Sequence, residues 1–320
     1  AKFWGPVGRI VKVRKENTML EVKHLSKSFG SVQAVNDVSF TIEPGTIMGF
    51  IGPNGSGKTT VFRMILDFLT PEKGGQVLWD NQVIGKGIYN LVGYLPEERG
   101  LYEKMTIEDQ IVYFASLRGM KHKEILDQID EWMEKFAVKG QRKDKINTLS
   151  KGNQQKVQLI STLIHRPKLV ILDEPFSGLD PVNADLLKQG ILELKAGGSS
   201  IIFSSHNMNN VSEICDKLTM IVNGNQVLYG NVNEVRNSFG RTKLYVESDQ
   251  WTKESLSQLE GVKQVLETQP EHFTLYLADE SYGPALFDQI TKGKYIRQFA
   301  QQPPTLEEIF KQKAGEFIHG

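Results

Sequence analysis

Apolar positions along this chain change their period several times, and each change marks an element. Residues 20–51 read as a small antiparallel β region that ends in the wholly apolar run Ile47-Met48-Gly49-Phe50-Ile51. After a glycine-rich break, Val61-Phe62-Arg63-Met64-Ile65-Leu66 has helical spacing. Helical patterning dominates residues 98–165, as with Ile125, Ile129, Trp132, Met133 and Phe136 at intervals of three and four. These aromatic and methionine positions suit core packing better than a cofactor box. Leu169-Val170-Ile171-Leu172 is apolar throughout and is bounded by Asp173-Glu174, the pattern of a central strand in a parallel sheet. Ile201-Ile202-Phe203 leads to a further strand that ends in Ser204-Ser205-His206.

From Gly240 the pattern shifts to shorter elements. Strands are expected at 243–247, 262–267, 272–278 and near 295–299, with helices around 255–259 and 285–290. That βαββαβ order predicts a small ferredoxin-like α+β domain. Pro304-Thr305-Leu306-Glu307-Glu308 then opens a last helix, with Thr305 and Glu308 as a capping box. The expected organisation is a leader at 1–18, an α/β domain with a helical subdomain at 19–238, and an accessory domain at 239–320.

Composition narrows this picture. The 320 residues carry 38 basic and 38 acidic side chains, for a formal net charge of zero. Binding driven by phosphate neutralisation therefore has no support, and no nucleic-acid partner is expected. The single cysteine, Cys215, excludes an intramolecular disulfide and reads as a small buried filler. Apolar runs are too short to span a bilayer, so other chains must supply spanning helices if the protein works at a membrane. Residues 1–18 lack a long apolar stretch and read as upstream or added sequence rather than a secretory signal.

The candidate chemistry starts at Gly52-Pro53-Asn54-Gly55-Ser56-Gly57-Lys58-Thr59-Thr60, between the apolar strand and the helix. Strand, glycine-rich loop and helix together form the setting of a phosphate-binding loop. Glycines let successive N–H groups point at phosphate oxygens, and the helix start adds its positive dipole end. Lys58 would reach the β- and γ-phosphates, and the Thr59 hydroxyl would ligate Mg²⁺. Ligands of open α/β sheets bind beyond the carboxyl ends of strands, which brings Asp173 and Glu174 beside the loop. Asp173 would hold Mg²⁺ through water, and Glu174 would polarise the water that attacks the γ-phosphate. Ser150, before the run Val157, Ile160, Leu163 and Ile164, is a helix N-cap and offers a second anion site. His206, at a strand's carboxyl end, joins the list of functional candidates.

In this order and spacing, residues 19–238 resemble the ATP-binding subunit of an ABC transporter. Leu149-Ser150-Lys151-Gly152-Asn153 is similar to the family signature Leu-Ser-Gly-Gly-Gln, Ser177-Gly178-Leu179-Asp180 to its D-loop, and His206 to its switch histidine. The fold implied is a P-loop NTPase ABC ATP-binding domain. The resemblance implies an ATPase in which two copies meet head to tail around two Mg-ATP. Each ATP is held between one copy's phosphate loop and the other's Ser150 and Gly152. Glu174 is then the general base, His206 binds the γ-phosphate, and Asp180 links the two composite sites. It also implies separate transmembrane permease subunits at the cytoplasmic face of the cell membrane, one of whose helices enters a groove of the helical subdomain. Tails like 239–320 accompany such subunits, often in bacterial export systems.

Three positions depart from the family. Lys151 and Asn153 replace glycine and glutamine; Lys151 either adds charge near the partner's phosphate or points to solvent. Glu97, in Leu95-Pro96-Glu97, stands where glutamine is usual, either as a hard oxygen ligand of Mg²⁺ or as a solvated surface group. Phe29 replaces a tyrosine that stacks on adenine; its ring face serves equally for stacking or as core. An alternative to a transporter is a soluble ABC ATPase acting on a ribosome, DNA or protein complex. Such proteins often carry paired ATP-binding domains, long coiled coils or zinc cysteines, which this sequence lacks.

Overall fold

The computed structural model describes residues 19–84, 86–97 and 100–319; the expected leader lies outside the described residues. Ten strands form the larger sheet: β1 (Leu20–Phe29), β2 (Val32–Ile42), β3 (Ile47–Ile51), β4 (Gln76–Trp79), β5 (Gln82–Val83), β6 (Val92–Leu95), β7 (Leu169–Leu172), β8 (Ser200–Ser205), β9 (Lys217–Val222) and β10 (Asn225–Asn231). Their spatial order is β5-β4-β1-β2-β10-β9-β3-β8-β7-β6. β9, β3, β8, β7 and β6 run parallel. β1 pairs antiparallel with β2 and β4, which makes the β region expected at the start. Every residue of β3, β7 and β8 is buried, as a parallel sheet covered on both faces requires.

One detail of that order positions the chemistry. β8 lies between β3 and β7, so the phosphate loop, His206 and the acidic pair follow three adjacent parallel strands at the same edge. The helices of the first 238 residues are α1 (Lys58–Ile65), α2 (Ile107–Leu117), α3 (His122–Lys135), α4 (Lys151–Leu163), α5 (Pro181–Ala196), α6 (Met208–Ile214) and α7 (Val232–Ser238). α2, α3 and α4 lie between β6 and β7 in sequence and pack on one another. Ile125, Ile129, Trp132, Met133 and Phe136 are all buried in the core there, and Trp132 stacks on Phe136 with ring centroids 6.0 Å apart.

The smaller sheet contains β11 (Lys243–Glu247), β12 (Val262–Gln269), β13 (His272–Leu277) and β14 (Gln298–Gln302), ordered β12-β13-β11-β14 and antiparallel throughout. With α8 (Lys253–Ser257) and α9 (Gly283–Thr291) it forms the βαββαβ unit, around its own core of Leu244, Val246, Leu275, Leu286 and Ile290. β14 starts three residues later than the apolar pattern suggested. Its register opposite β11, Glu247 to Gln298 and Lys243 to Gln302, sets the start, while Ile296 packs on the domain core from the preceding loop. The last helix, α10 (Leu306–His319), does not bury its apolar face in this small core. Leu306, Ile309 and Ala314 join the core of the larger domain, where α10 lies against α6.

Candidate active site

The phosphate loop is built by close backbone approaches. A Cβ on Gly52 would stand 2.2 Å from the carbonyl oxygen of Ile221, and one on Gly57 2.3 Å from that of Ala34. Gly57 also sits at φ 107, a region that side-chain-bearing residues rarely adopt, and it is the N-cap of α1. No side chain caps that helix, so its first amides stay available to an anion. Lys58 is buried and its ammonium donates to the loop's own carbonyls, Gly52 at 2.8 Å and Pro53 at 3.0 Å. Burial pulls its pKa down, while Glu174, Asp173 and Glu97 oppose that pull. One cavity is lined by Asn54–Thr60 together with Ala34, Glu97, Asp173 and Glu174.

The acidic pair is tied into this loop. The Thr59 hydroxyl donates to Asp173 Oδ2 at 2.8 Å, and the Ser204 hydroxyl donates to Asp173 Oδ1 at 2.6 Å. Asp173 is only 2% exposed, so these two bonds replace the water its charge has lost. Ser204 Oγ also accepts from the backbone N–H of Glu174 at 2.8 Å. Glu174 lies at φ 48, a left-handed conformation unusual for a residue with a side chain. Its Oε2 meets His206 Nδ1 at 2.9 Å, while its buried Oε1 has no partner among the described residues. An unpaired buried carboxylate oxygen is costly unless something donates to it, and a nucleophilic water would. The buried hydroxyl of Ser56, inside the phosphate loop, is likewise without a partner among the described residues.

The remaining candidates lie elsewhere. Ser150, Gly152 and Asp180 line a second concavity, with Lys139, Lys156 and Asn183 among its other walls, and none of the phosphate-loop residues borders it. Ser150 caps α4 weakly, accepting from Asn153 N–H at 3.4 Å. Asn153 donates to Ser150 Oγ at 3.2 Å and accepts from Lys139 N–H at 3.0 Å, so the asparagine ties the signature to the turn after α3. Asp180 caps α5 through Asn183 N–H at 3.0 Å, which with its side-chain partner Asn183 holds its carboxyl below the usual range. Phe29 is 49% exposed and does not line the phosphate-loop cavity; the Lys27 ammonium lies 5.9 Å from its ring centre.

Comparison with known proteins decides the family. The family model described as "ABC transporter" matches residues 35–177, and that described as "ATP-binding protein DrrA1-3-like, C-terminal domain" matches 230–314. The ABC transporter ATP-binding protein YhaQ of Bacillus subtilis (strain 168) is 42% identical over 93% of this chain and 99% of its own length. This chain belongs to the ABC transporter ATP-binding subunits. It is an ATPase of the P-loop type and binds ATP, as the family does. The lipopolysaccharide export system ATP-binding protein LptB of Escherichia coli (strain K12) is 27% identical over 72% of this chain and 98% of its own. A solved ATP-binding subunit of an ABC transporter superposes with a TM-score of 0.65 at 30% identity, covering 70% of this chain and 94% of that one.

Within this ABC subunit, three contributors escaped the sequence reading. Ser204 braces both acids, and its signal was a hydroxyl at the end of the strand next to the acidic one. Ala34 has its carbonyl against Gly57, and nothing local in the sequence marks it. Gln155 donates from Nε2 to the Pro175 carbonyl at 2.8 Å, linking α4 to the segment after Glu174. A third concavity, between β6 and helices α2 and α4, is lined by Tyr94, Pro96, Phe114, Arg118 and His165 among others. Burial, and then the nearby Arg118 guanidinium, push the His165 imidazole down to about 4, so it is neutral near pH 7.

Proposed function

We propose that this chain is the motor subunit of an exporter, working as a head-to-tail dimer around two Mg-ATP on separate transmembrane permease subunits at the cytoplasmic face of the membrane. The observation that carries this reading is the separation of the two half-sites. Asn54–Thr60, Asp173 and Glu174 share one cavity, while Ser150, Gly152 and Asp180 share another. A single copy offers the phosphates only half of the donors the sequence supplies, and a second copy would complete each site.

In that dimer, the loop from Gly52 to Thr60 cradles the phosphates and Lys58 moves its ammonium from the Gly52 and Pro53 carbonyls to the β- and γ-phosphates. Thr59, Asp173 and Glu97 would hold Mg²⁺ through hard oxygen donors of the type it accepts. When bound, Mg²⁺ neutralises charge on the phosphate oxygens. Glu174 accepts the proton of the attacking water at Oε1, and His206 holds Oε2 and contacts the γ-phosphate. Phe29 supplies a ring face for the adenine. Ser150 and Gly152 complete the partner copy's site, and Asp180 lies where the two sites meet. Hydrolysis removes a charge that both copies hold and so loosens the dimer. The groove between β6, α2 and α4 suits a permease's cytoplasmic helix. The export direction is supported by the likeness to LptB, the ATP-binding protein of a lipopolysaccharide export system.

Purifying a tagged Glu174→Gln chain from its native host in mild detergent with Mg-ATP tests this. Recovery of a polytopic membrane protein in near-equal amount is the expected result. Ribosomal or DNA-associated partners with no membrane protein would overturn the transport reading in favour of a soluble ABC ATPase.

A further inference from the structure

We infer that α10 is a positioning element for His206, and that through it the C-terminal domain acts on the rate of ATP hydrolysis. This rests on the role proposed above for His206. β8 ends at Ser205 and α6 starts at Met208, so His206 and Asn207 form the whole connection between them. The His206 side chain is 66% exposed and its ring is held by Glu174 Oε2 at 2.9 Å. With little packing around the ring, its place depends on the backbone, and therefore on where α6 lies.

α6 has seven residues, too few to stay helical without packing. α10 supplies part of that packing, beside β3 and β8. Met208, Val211 and Ile214 of α6 share a core with Leu306, Ile309 and Ala314 of α10. At the edge of that contact, Glu307, Phe310 and Lys311 face His206, Asn207, Met208 and Asn209 across a cavity. Half-buried Phe310 is the apolar side chain that α10 contributes to this wall.

The other face of α10 is fastened to the small domain. The buried ammonium of Lys243, on β11, donates to Glu308 Oε1 at 2.8 Å and lies 5.0 Å and 5.6 Å from the ring centres of Tyr245 and Tyr276. The Tyr276 hydroxyl donates to the same carboxylate oxygen at 3.3 Å. Thr305 caps the helix through Glu308 N–H, and Arg236 of α7 donates to the Pro304 carbonyl at 3.1 Å. The pair is buried at Lys243 and half-buried at Glu308; such a pair adds little net stability, but it favours one place and orientation of the helix. The path from the C-terminal sheet through α10 and α6 to His206 is continuous.

A double-mutant cycle on the full chain tests this, because a residue acting through His206 has no effect once His206 is gone. Phe310→Ala should lower kcat about tenfold with KM for Mg-ATP changed less than about twofold, since sub-ångström misplacement of a catalytic group is costly while the phosphate loop is untouched. Phe310→Leu should recover most of kcat. In a His206→Ala background, Phe310→Ala should change kcat by less than about twofold. Multiplicative losses, or an unchanged kcat in Phe310→Ala, overturn the inference and leave the proposed function intact. If His206→Ala alone leaves kcat unchanged, the role of His206 fails, and the inference with it. Should Phe310→Ala not fold, Glu308→Gln loosens the attachment to Lys243 and must show the same pattern: a loss of about threefold with His206 present, and none without it.

Discussion

The two half-sites of this molecule are built in opposite ways. In the phosphate-loop half, the key side chains are held by partners within that half: Lys58 by the loop's backbone carbonyls, Asp173 by Thr59 and Ser204, and Glu174 by His206. Three carboxylates, Asp173, Glu174 and Glu97, line its cavity with one buried lysine. The signature half inverts this balance, with Lys139 and Lys156 beside the single carboxylate Asp180. Its central hydroxyl, on Ser150, is bound only by long contacts of 3.2 and 3.4 Å within its own helix start. The difference shows how one chain divides a site. On the proposed reading, the half that holds charge through the reaction is braced in advance, while in the half that would meet a phosphate of a second copy Lys156 is tied to the Ala137 carbonyl and the Ser150 hydroxyl serves only as an acceptor in its bonds to Asn153.

The largest effect should come from the braced half. Glu174→Gln removes the proposed proton acceptor and keeps the hydrogen-bonding shape, so kcat should fall about 10²- to 10³-fold while ATP binding survives. Lys58→Ala should instead lose most of the binding, measurable by calorimetry with Mg-ATP. If Glu174→Gln retains full turnover, the base lies elsewhere and the bracing has another purpose.

The signature half should respond differently. Ser150→Gly keeps an acceptable N-cap, costing only about a few tenths of a kcal/mol in stability. It should nevertheless lower kcat about tenfold or more, the range of a lost charge-assisted hydrogen bond. Nucleotide affinity of the isolated chain should stay as it was. A loss of thermal stability in proportion to activity would mean that Ser150 serves α4 and nothing else.

How much of this was legible depends on whether the determinants are local. The phosphate loop is contiguous, because a tight turn, its glycines and the following helix must be adjacent to work, and so it is readable from Gly52 to Thr60. Asp173 and Glu174 were readable because a buried parallel strand must end where polar residues begin. α10 was not. Its amphipathic spacing says that one face is buried but not against what, and sequence adjacency suggested the small domain, whereas Leu306 and Ile309 lie in the large one. The brace from Ser204 was hidden for a similar reason, since it depends on β8 lying between β3 and β7. The exposure of Phe29 is equally beyond an aromatic's identity, which states a ring and not its surroundings.

Glu97 offers a finer comparison, because it lines the braced cavity with no side-chain bond to it among the described residues. It is the third of the cavity's carboxylates and the most exposed. If it helps to hold Mg²⁺, Glu97→Gln keeps an oxygen donor and removes one charge. The Mg²⁺ concentration for half-maximal ATPase activity should then rise about threefold, with kcat at saturating Mg²⁺ changed less than about twofold. An unchanged Mg²⁺ dependence makes Glu97 a solvated surface group and confines the metal's protein ligands to Thr59 and Asp173.

The smallest effect is expected where the signature departs from its family. Asn153 spans from Ser150 Oγ to Lys139 N–H, and both bonds are partly exposed. Asn153→Ala should cost about 1 kcal/mol in chemical denaturation, the net worth of one or two such bonds. Because Ser150 then loses the Asn153 side-chain amide donor, its hydroxyl becomes freer to turn, and kcat should fall by no more than about threefold while KM is retained. Asn153→Gln, which restores the family residue with one more methylene, tests length separately from chemistry. Recovery of stability by glutamine would show that the tie to Lys139 tolerates the longer side chain. Failure to recover it would show that the turn after α3 and the asparagine are matched in this chain, and that the signature half is held by its edge and not by its centre.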